Sequence, residues 1–359
     1  MVLTELRIEN LRNISGLHLR LEPGVNLFTG PNGAGKTSIL EAVYLLSHAN
    51  SFRTRRGEIL MRRDCPQLSV FGEVARSSGG TTRLGLTYGD GRWTARVDGR
   101  TPDALAGMLE HCAVVCFEPG SHALISGPSD ERRRFVDWGV FHVEPSFVEV
   151  ARRYRRTLRQ RNAALRENRG DSEMAVWDEE LIAAALPLSE ARDRYLQRLA
   201  PILCALLAMY LPELGAPELR TSPGWSAVLD LSFVLQGARE VDRQRAHTTR
   251  GPHRADWWIR FASAPRREQL SRGQEKLCAI ACMLAQAELY RADHAEWPIV
   301  VLDDLPSELD QAHQDQVLMS LRSANQILLS STEIPVSLDR SGTRFRRFHV
   351  EQGAVRGLL

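Results

Sequence analysis

The chain has 359 residues, enough for more than one hydrophobic core, and its 43% hydrophobic and 25% charged residues exclude a disordered or membrane-embedded protein. The net charge of +2 hides a bias, because 44 of the 46 basic residues are Arg and only Lys36 and Lys276 are Lys. Six cysteines fit free thiols in a reducing compartment, and the most apolar stretch, residues 202–211, is too short to span a bilayer, so a cytoplasmic location is expected.

Residues 24–29 form an apolar run that predicts a buried strand, and residues 38–46 carry a helical pattern. Between them, Gly30-Pro31-Asn32-Gly33-Ala34-Gly35-Lys36-Thr37 matches a phosphate-binding loop at every position and in the strand–loop–helix setting that such a loop requires. Glycines at both ends let the backbone N–H groups close around phosphates, and the helix that follows turns its positive end toward them. Lys36 reaches the β and γ phosphates, Thr37 is placed to hold Mg²⁺, and Ser38 continues the nucleotide contacts. A compact ammonium fits inside so tight a loop where a planar guanidinium does not, which explains a lysine in so arginine-rich a chain.

Residues 68–97 alternate apolar and polar side chains around Gly79-Gly80 and Gly89-Asp90-Gly91, predicting antiparallel hairpins. About 230 residues separate Thr37 from Leu270, more than a minimal phosphate-loop core needs, so a helical insertion is expected. Its predicted helices are 147–167, 176–186 and 189–210, the last two broken at Pro187 and the final one bent at Pro201. Arg132, Arg133 and Arg134, followed by Arg152, Arg153, Arg155, Arg156, Arg159 and Arg161, crowd one region in a way that suits phosphate contacts. Cys112, Cys116, Cys278 and Cys282 sit in apolar stretches and read as small buried hydrophobes.

Leu270-Ser271-Arg272-Gly273-Gln274-Glu275-Lys276 precedes a helical run, 277–290, and sets Ser271 and the Gly273 amide at a helix N-terminus. Residues 299–302 are an apolar strand ending in Asp303-Asp304, the way a central parallel strand delivers a carboxylate to the metal beside a phosphate loop. Asp303 is the expected metal-side carboxylate. Asp304 is the expected catalytic one, placed to orient or deprotonate an attacking water, with Lys36 as its cationic counterpart. Small strands are expected after Pro335.

The segment 270–276 resembles the signature motif of ABC-type ATPases, and Ser307-Glu308-Leu309-Asp310 resembles their D-loop. Gly127-Pro128-Ser129-Asp130-Glu131-Arg132-Arg133-Arg134-Phe135-Val136-Asp137 and Thr249-Arg250-Gly251-Pro252-His253-Arg254-Ala255-Asp256 resemble the two diagnostic sequences of the RecF family. The opening residues 6–14 and Ser51-Phe52-Arg53-Thr54 are similar to that family too, so the likeness covers nearly the whole chain. The resemblance implies an α/β fold: an ABC/SMC-type P-loop ATPase head with an inserted, mainly helical lobe and no long coiled coil. On this basis residues 1–118 and 251–359 form the head and 119–250 the lobe.

The resemblance further implies ATP and Mg²⁺ as cofactors, with Arg12 and Asn13 among the nucleotide contacts, and slow hydrolysis acting as a switch. It implies an ATP-dependent homodimer in which Ser271, Gly273, Gln274 and Asp310 touch the partner's nucleotide. It implies binding to duplex DNA and gapped junctions, with Arg132–Arg134 as candidate contacts, and cooperation with RecR and RecO in loading RecA during gap repair, replication restart and the SOS response.

Two features depart from the wider ABC pattern. The strand 327–331 runs into Thr332-Glu333 without the switch histidine, and Asp304 is shorter than the Glu usual in transporters, which suits a slow switch. A transporter's nucleotide-binding subunit, the main alternative, needs a shorter path from loop to signature and a coupling surface in place of the arginine-rich lobe. An SMC-like head with nuclease activity needs a carboxylate cluster in an additional domain.

Overall fold

The computed structural model describes residues 1–54, 56–340 and 342–358. The chain divides into two compact units, one built from Met1–Ser121 and the residues from 272 onward, the other from His122–Ser271. Strands β1 (Val2–Leu11), β2 (Ile14–Arg20), β3 (Gly24–Thr29), β4 (Gln67–Ala75), β5 (Thr81–Gly89), β6 (Arg92–Val97) and β7 (Val114–Phe117) come first. The second unit holds β8 (Pro217–Ser222) and β9 (Asp256–Phe261), and β10 (Ile299–Leu302), β11 (Gln326–Ser331), β12 (Phe345–Glu351) and β13 (Ala354–Leu358) follow it.

The first unit contains two sheets. One has the order β13-β12-β3-β11-β10-β7 and is parallel except for its β13 edge. Its β10 and β11 are buried at every position, as expected of strands covered on both faces. The other is an antiparallel sheet of order β2-β1-β4-β5-β6. There the predicted alternation holds, with Leu68, Val70 and Val74 of β4 facing inward beside Leu84, Leu86 and Tyr88 of β5. The phosphate-loop helix, Lys36–His48, packs against both sheets and buries Ile39, Leu40, Val43, Leu45 and Leu46. Its approach to β4 is so close that a Cβ at Gly72 would lie 2.5 Å from the Leu46 side chain.

Parallel registry decides where the site forms. Leu302 pairs with Leu329, which pairs with Leu27, and Ser331 pairs with Thr29, so β3, β11 and β10 end on one edge. Loops leaving the carboxyl ends of a parallel sheet are where such folds bind ligands. After Pro335 the chain forms a short helix, Val336–Arg340, before the expected strands, and β12 joins the main sheet parallel to β3.

The second unit is mainly helical, with helices Ser129–Val143, Phe147–Arg166, Asp171–Tyr210 and Leu231–Arg245 beside a two-stranded antiparallel sheet of β8 and β9. The expected break at Pro187 does not occur: one helix of 40 residues runs through both Pro187 and Pro201. Each proline frees the carbonyl four residues before it. Pro187 with Ala183, and Pro201 with Gln197, all lie on the exposed face, where water can satisfy those carbonyls, while Ala184, Leu188, Tyr195, Leu199 and Leu203 stay buried on the opposite one. Residues 251–271, expected in the head, belong to the second unit because β9 pairs with β8 from Asp256 to Phe261. Among the described residues no helix is long and apolar enough to cross a membrane.

The two family-like segments of this unit are docked on each other by arginines. Arg132, 2% exposed, forms a two-bonded pair with Asp256 (2.6 and 3.0 Å) and donates to the carbonyls of Leu124, Ile125 and Gly127. Arg133 donates to the Ala255 carbonyl and pairs with Asp130, while Arg134 pairs with Glu131. Arg192 clamps Asp137 and the Pro252 carbonyl. The expectation that Arg132 contacts DNA is therefore corrected: its charge is buried and spent on Asp256, and Arg133 is mostly committed as well.

Arg161 is fully buried between Asp178 (2.8 Å) and Asp242 (2.7 Å) and donates to Thr248. Asp242 in turn accepts from the N–H and hydroxyl of Thr249, and His253 bridges the Tyr154 hydroxyl and the Thr248 carbonyl. Removing one member of such a cluster leaves an uncompensated buried charge, so Arg161→Met is expected to cost about 3–5 kcal/mol of stability in urea unfolding. Burial holds the His253 pKa down at about 4. The unfolded chain therefore binds this proton first, and stability is expected to fall as pH drops from the ordinary histidine range toward 4, a slope that His253→Gln should flatten in pH-dependent thermal melts.

Candidate nucleotide-binding site

The phosphate loop leaves β3 at Gly30 and enters its helix at Lys36. Gly30 has φ of 153°, and a Cβ there would lie 2.1 Å from the Val350 carbonyl oxygen of β12, so only glycine lets the loop pass that close to the sheet. Lys36 is 7% exposed, and its Nζ donates to the carbonyls of Gly30 (2.7 Å) and Pro31 (3.0 Å), closing the loop from inside. Burial lowers its pKa, opposed by the charges of Asp304 and Asp303. The result is a compact cation beneath a ring of backbone N–H groups at a helix N-terminus.

Asn13 ties this loop to the β1–β2 turn: its Nδ2 donates to the Gly33 carbonyl at 3.2 Å, and Ser38 Oγ donates to its Oδ1 at 3.3 Å. Arg12 beside it is held by Glu41, with Nε and Nη2 donating at 2.5 and 2.8 Å to a carboxylate with no solvent exposure. That partner raises the Arg12 pKa. The Ser51 hydroxyl also donates to Glu41 and accepts the N–H groups of Arg53 (2.9 Å) and Thr54 (3.1 Å). Arg53 is thereby delivered to the same cleft as Arg12.

Opposite the loop, β10 presents Asp303 and Asp304. Asp303 is 3% exposed and its Oδ1 accepts from Thr37 Oγ1 at 3.1 Å and Ser330 Oγ at 2.6 Å. Burial raises its pKa, while these two hydrogen bonds pull it down. Asp304 has a left-handed backbone, φ 53°. Its N–H donates to Ser330 Oγ (3.0 Å), and its Oδ2 accepts from Ser307 Oγ (2.7 Å). One serine hydroxyl at the end of β11 therefore touches both acidic positions.

These groups enclose a cleft of about 360 Å³. The set fits a nucleoside triphosphate with Mg²⁺: Lys36, Arg12, Arg53 and the loop amides for phosphate oxygens, and the Thr37 hydroxyl with the Asp303 carboxylate as oxygen ligands for a hard cation.

The helix that begins within the signature-like segment runs Arg272–His294. Ser271, Arg272 and Gly273 are exposed and Gln274 is half-buried, and neither Gly273 nor Gln274 lines the cleft. Asp310 caps the helix Gln311–Ser320, accepting the His313 N–H at 3.0 Å and lying 2.6 Å from its Nδ1, contacts that lower its pKa. The structure thus gathers Arg12, Asn13, the phosphate loop, Asp303 and Asp304 in one cleft and leaves Gly273, Gln274 and Asp310 outside it. Glu41, Ser51, Arg53 and Ser330 were not assigned to the site from sequence. Ser51 and Arg53 stood in a family-like segment, whereas Glu41 and Ser330 look like ordinary helix and strand residues.

A parallel sheet that ends in a phosphate loop, a carboxylate pair and a polar strand terminus, with a signature-like segment before β10 and a D-loop-like segment after it, defines an ABC/SMC-type P-loop ATPase head. A family model described as an AAA domain matches residues 5–63. The chain is 45% identical over 361 residues to the DNA replication and repair protein RecF of Stenotrophomonas maltophilia, covering 99% of both, and 34% identical to that of Shewanella baltica, again covering 99% of both. The chain belongs to the RecF family. The solved structure of the recombination mediator protein RecF-ATP in the RecFOR pathway matches with a TM-score of 0.90 at 25% identity, covering 99% of this chain and 97% of that one. A SmcHead bound to the C-winged helix domain of ScpA matches at 0.60 and 12% identity over 100% and 97% of the two chains, a likeness of fold alone.

Ser330→Ala removes a hydrogen bond to a buried carboxylate, an interaction worth about 1.5–3 kcal/mol. It is expected to weaken Mg²⁺-dependent ATP binding by about tenfold or more while leaving binding in EDTA unchanged, read by titration of a fluorescent ATP analogue. Equal loss under both conditions would assign the effect to the phosphate loop instead.

Proposed function

We propose that this protein is an ATP-gated, DNA-binding protein of bacterial DNA replication and repair, acting in the cytoplasm as a recombination mediator with RecR and RecO. ATP binds the cleft and drives homodimerisation, and slow hydrolysis resets the dimer. In this reading Lys36 exchanges the carbonyls of Gly30 and Pro31 for phosphate oxygens, and Arg12 and Arg53 add charge from the other wall. Thr37 and Asp303 hold Mg²⁺, which supplies charge neutralisation at the phosphates. Asp304 accepts a proton from, or orients, the attacking water, a role that its half-exposed position beside the metal-side carboxylate permits. Loading of RecA at duplex/single-strand junctions follows as the downstream role.

The observation that carries the dimer is the start of the signature helix, where Arg272 and Gly273 are exposed and neither Gly273 nor Gln274 lines the cleft of its own head. A helix N-terminus, with its positive dipole end, is suited to a phosphate presented by a second head. Ser271→Arg is expected to abolish ATP-induced dimerisation in sedimentation while binding in cis persists. Mixing it with Lys36→Met should restore partial turnover, because one composite site then carries both lesions and the other neither; a mixture that stays inactive despite forming heterodimers would sink the trans arrangement.

DNA contact is assigned to the helix Phe147–Arg166 in place of Arg132–Arg134. Arg152, Arg155, Arg156, Arg159 and Arg166 recur at helical spacing on one exposed face, and no acidic partner engages them among the described residues, whereas Arg153 pairs with Glu180. The stripe runs for about 21 Å along the helix, a length that tracks several phosphates. Replacing Arg155, Arg156 and Arg159 by Ala should weaken duplex binding and reduce the salt slope by up to about 0.9 per lost contact, without loss of thermal stability. Unchanged affinity and slope would exclude this face.

A further inference from the structure

Only two lysines occur among 46 basic residues, and the second, Lys276, has no phosphate loop to explain it. It lies in the first turns of the signature helix, and its Nζ forms an ion pair at 2.7 Å with Glu308, whose side chain is 13% exposed. Glu308 is the last residue of the short helix Leu305–Glu308, which begins directly after Asp304. Its neighbour Ser307 donates to Asp304 Oδ2 at 2.7 Å and lies 2.9 Å from the Asp304 carbonyl. From Asp304 the contacts continue through its N–H to Ser330 Oγ, from Ser330 to Asp303, and from Asp303 to Thr37. One unbroken line of polar contacts and four adjoining residues of chain joins the signature helix to both carboxylates.

Asp304 is held in the left-handed region, a conformation that Asp reaches with the help of local hydrogen bonds and that its surroundings enforce here. The Ser307 and Ser330 bonds supply part of that enforcement, and the Lys276–Glu308 pair anchors the segment that carries Ser307. The Lys276 ammonium makes a single point contact with Glu308, a less rigid tie than a bidentate guanidinium would make.

We propose that Lys276 and Glu308 are a positioning pair that fixes the segment 304–308, so that displacement of the signature helix re-aims the Asp304 carboxylate. Engagement of the signature on one side of a head is thereby transmitted to the hydrolytic carboxylate of the same head. This rests on the ATPase reading above. A pair that merely stabilises the fold would lower the melting temperature and affect binding and turnover together; a positioning pair acts on turnover alone.

The test compares Lys276→Met, Glu308→Gln and the charge-swapped double variant Lys276→Glu/Glu308→Lys with the wild type. Misplacing a reacting group slightly costs tenfold or more in rate, so each single variant should lower kcat by roughly tenfold with KM changed less than about twofold, and the swap should recover most of it. Amide hydrogen exchange of residues 304–309 without nucleotide should be faster in both single variants and return to the wild-type rate in the swap. Unchanged kcat in the single variants, or a loss the swap fails to reverse, overturns the pair. Absence of turnover in the wild type would refute the ATPase reading, and exchange at 304–309 then decides the pair by itself: unchanged protection overturns it, and loss restored by the swap upholds it.

Discussion

A carboxylate at 3% exposure is the constraint around which the head is organised. Burying Asp303 as an anion is tolerable only with hydrogen bonds to spread its charge, and those come from Thr37 and Ser330, which are remote from it in the chain. For the three to meet, β3, β11 and β10 must be adjacent, parallel and in one register. The sheet order β3-β11-β10 satisfies this, and the burial of all three strands on both faces leaves them no freedom to slip. The cleft is the consequence of that packing.

The lobe follows a different logic. Its core is laced with arginine–carboxylate pairs, Arg132 with Asp256, Arg192 with Asp137, and Arg161 with Asp178 and Asp242. Such pairs give little net stability against an apolar core, yet their geometry admits few alternatives, so they define how the segments 127–137 and 249–256 meet. Arginines of one region thus fall into two environments. Those facing inward brace the lobe, and those on the far side of the helix Phe147–Arg166 are exposed to solvent.

Strong local chemistry was legible without any structure. The phosphate loop, its flanking strand and helix, the β10 strand with its acidic pair, and the hairpins between 67 and 97 each carry a short-range pattern whose cause is local: glycine conformation, an apolar run, or alternation. Proline misled. Pro187 signals a break wherever its freed carbonyl would be buried, and burial is a property of the helix's neighbours, which the local pattern does not contain.

What the chain determined by itself is the inventory of the site: a lysine and a hydroxyl at the start of a helix, two carboxylates at the end of a strand, and a helix N-terminus beyond. What only the tertiary structure decided is which of many equivalent residues joins them. Ser330 is one of several serines near a strand end, Glu41 is one more polar residue on a helix, and Arg132 and Arg155 are the same residue type in the same region. Sheet registry placed the first at both carboxylates, and the meeting of the β1–β2 turn with the phosphate-loop helix buried the second under Arg12. Helix facing sent one arginine into the core and the other to solvent. Side chains of one type are distinguished by their surroundings, and those surroundings exist only once distant segments have packed.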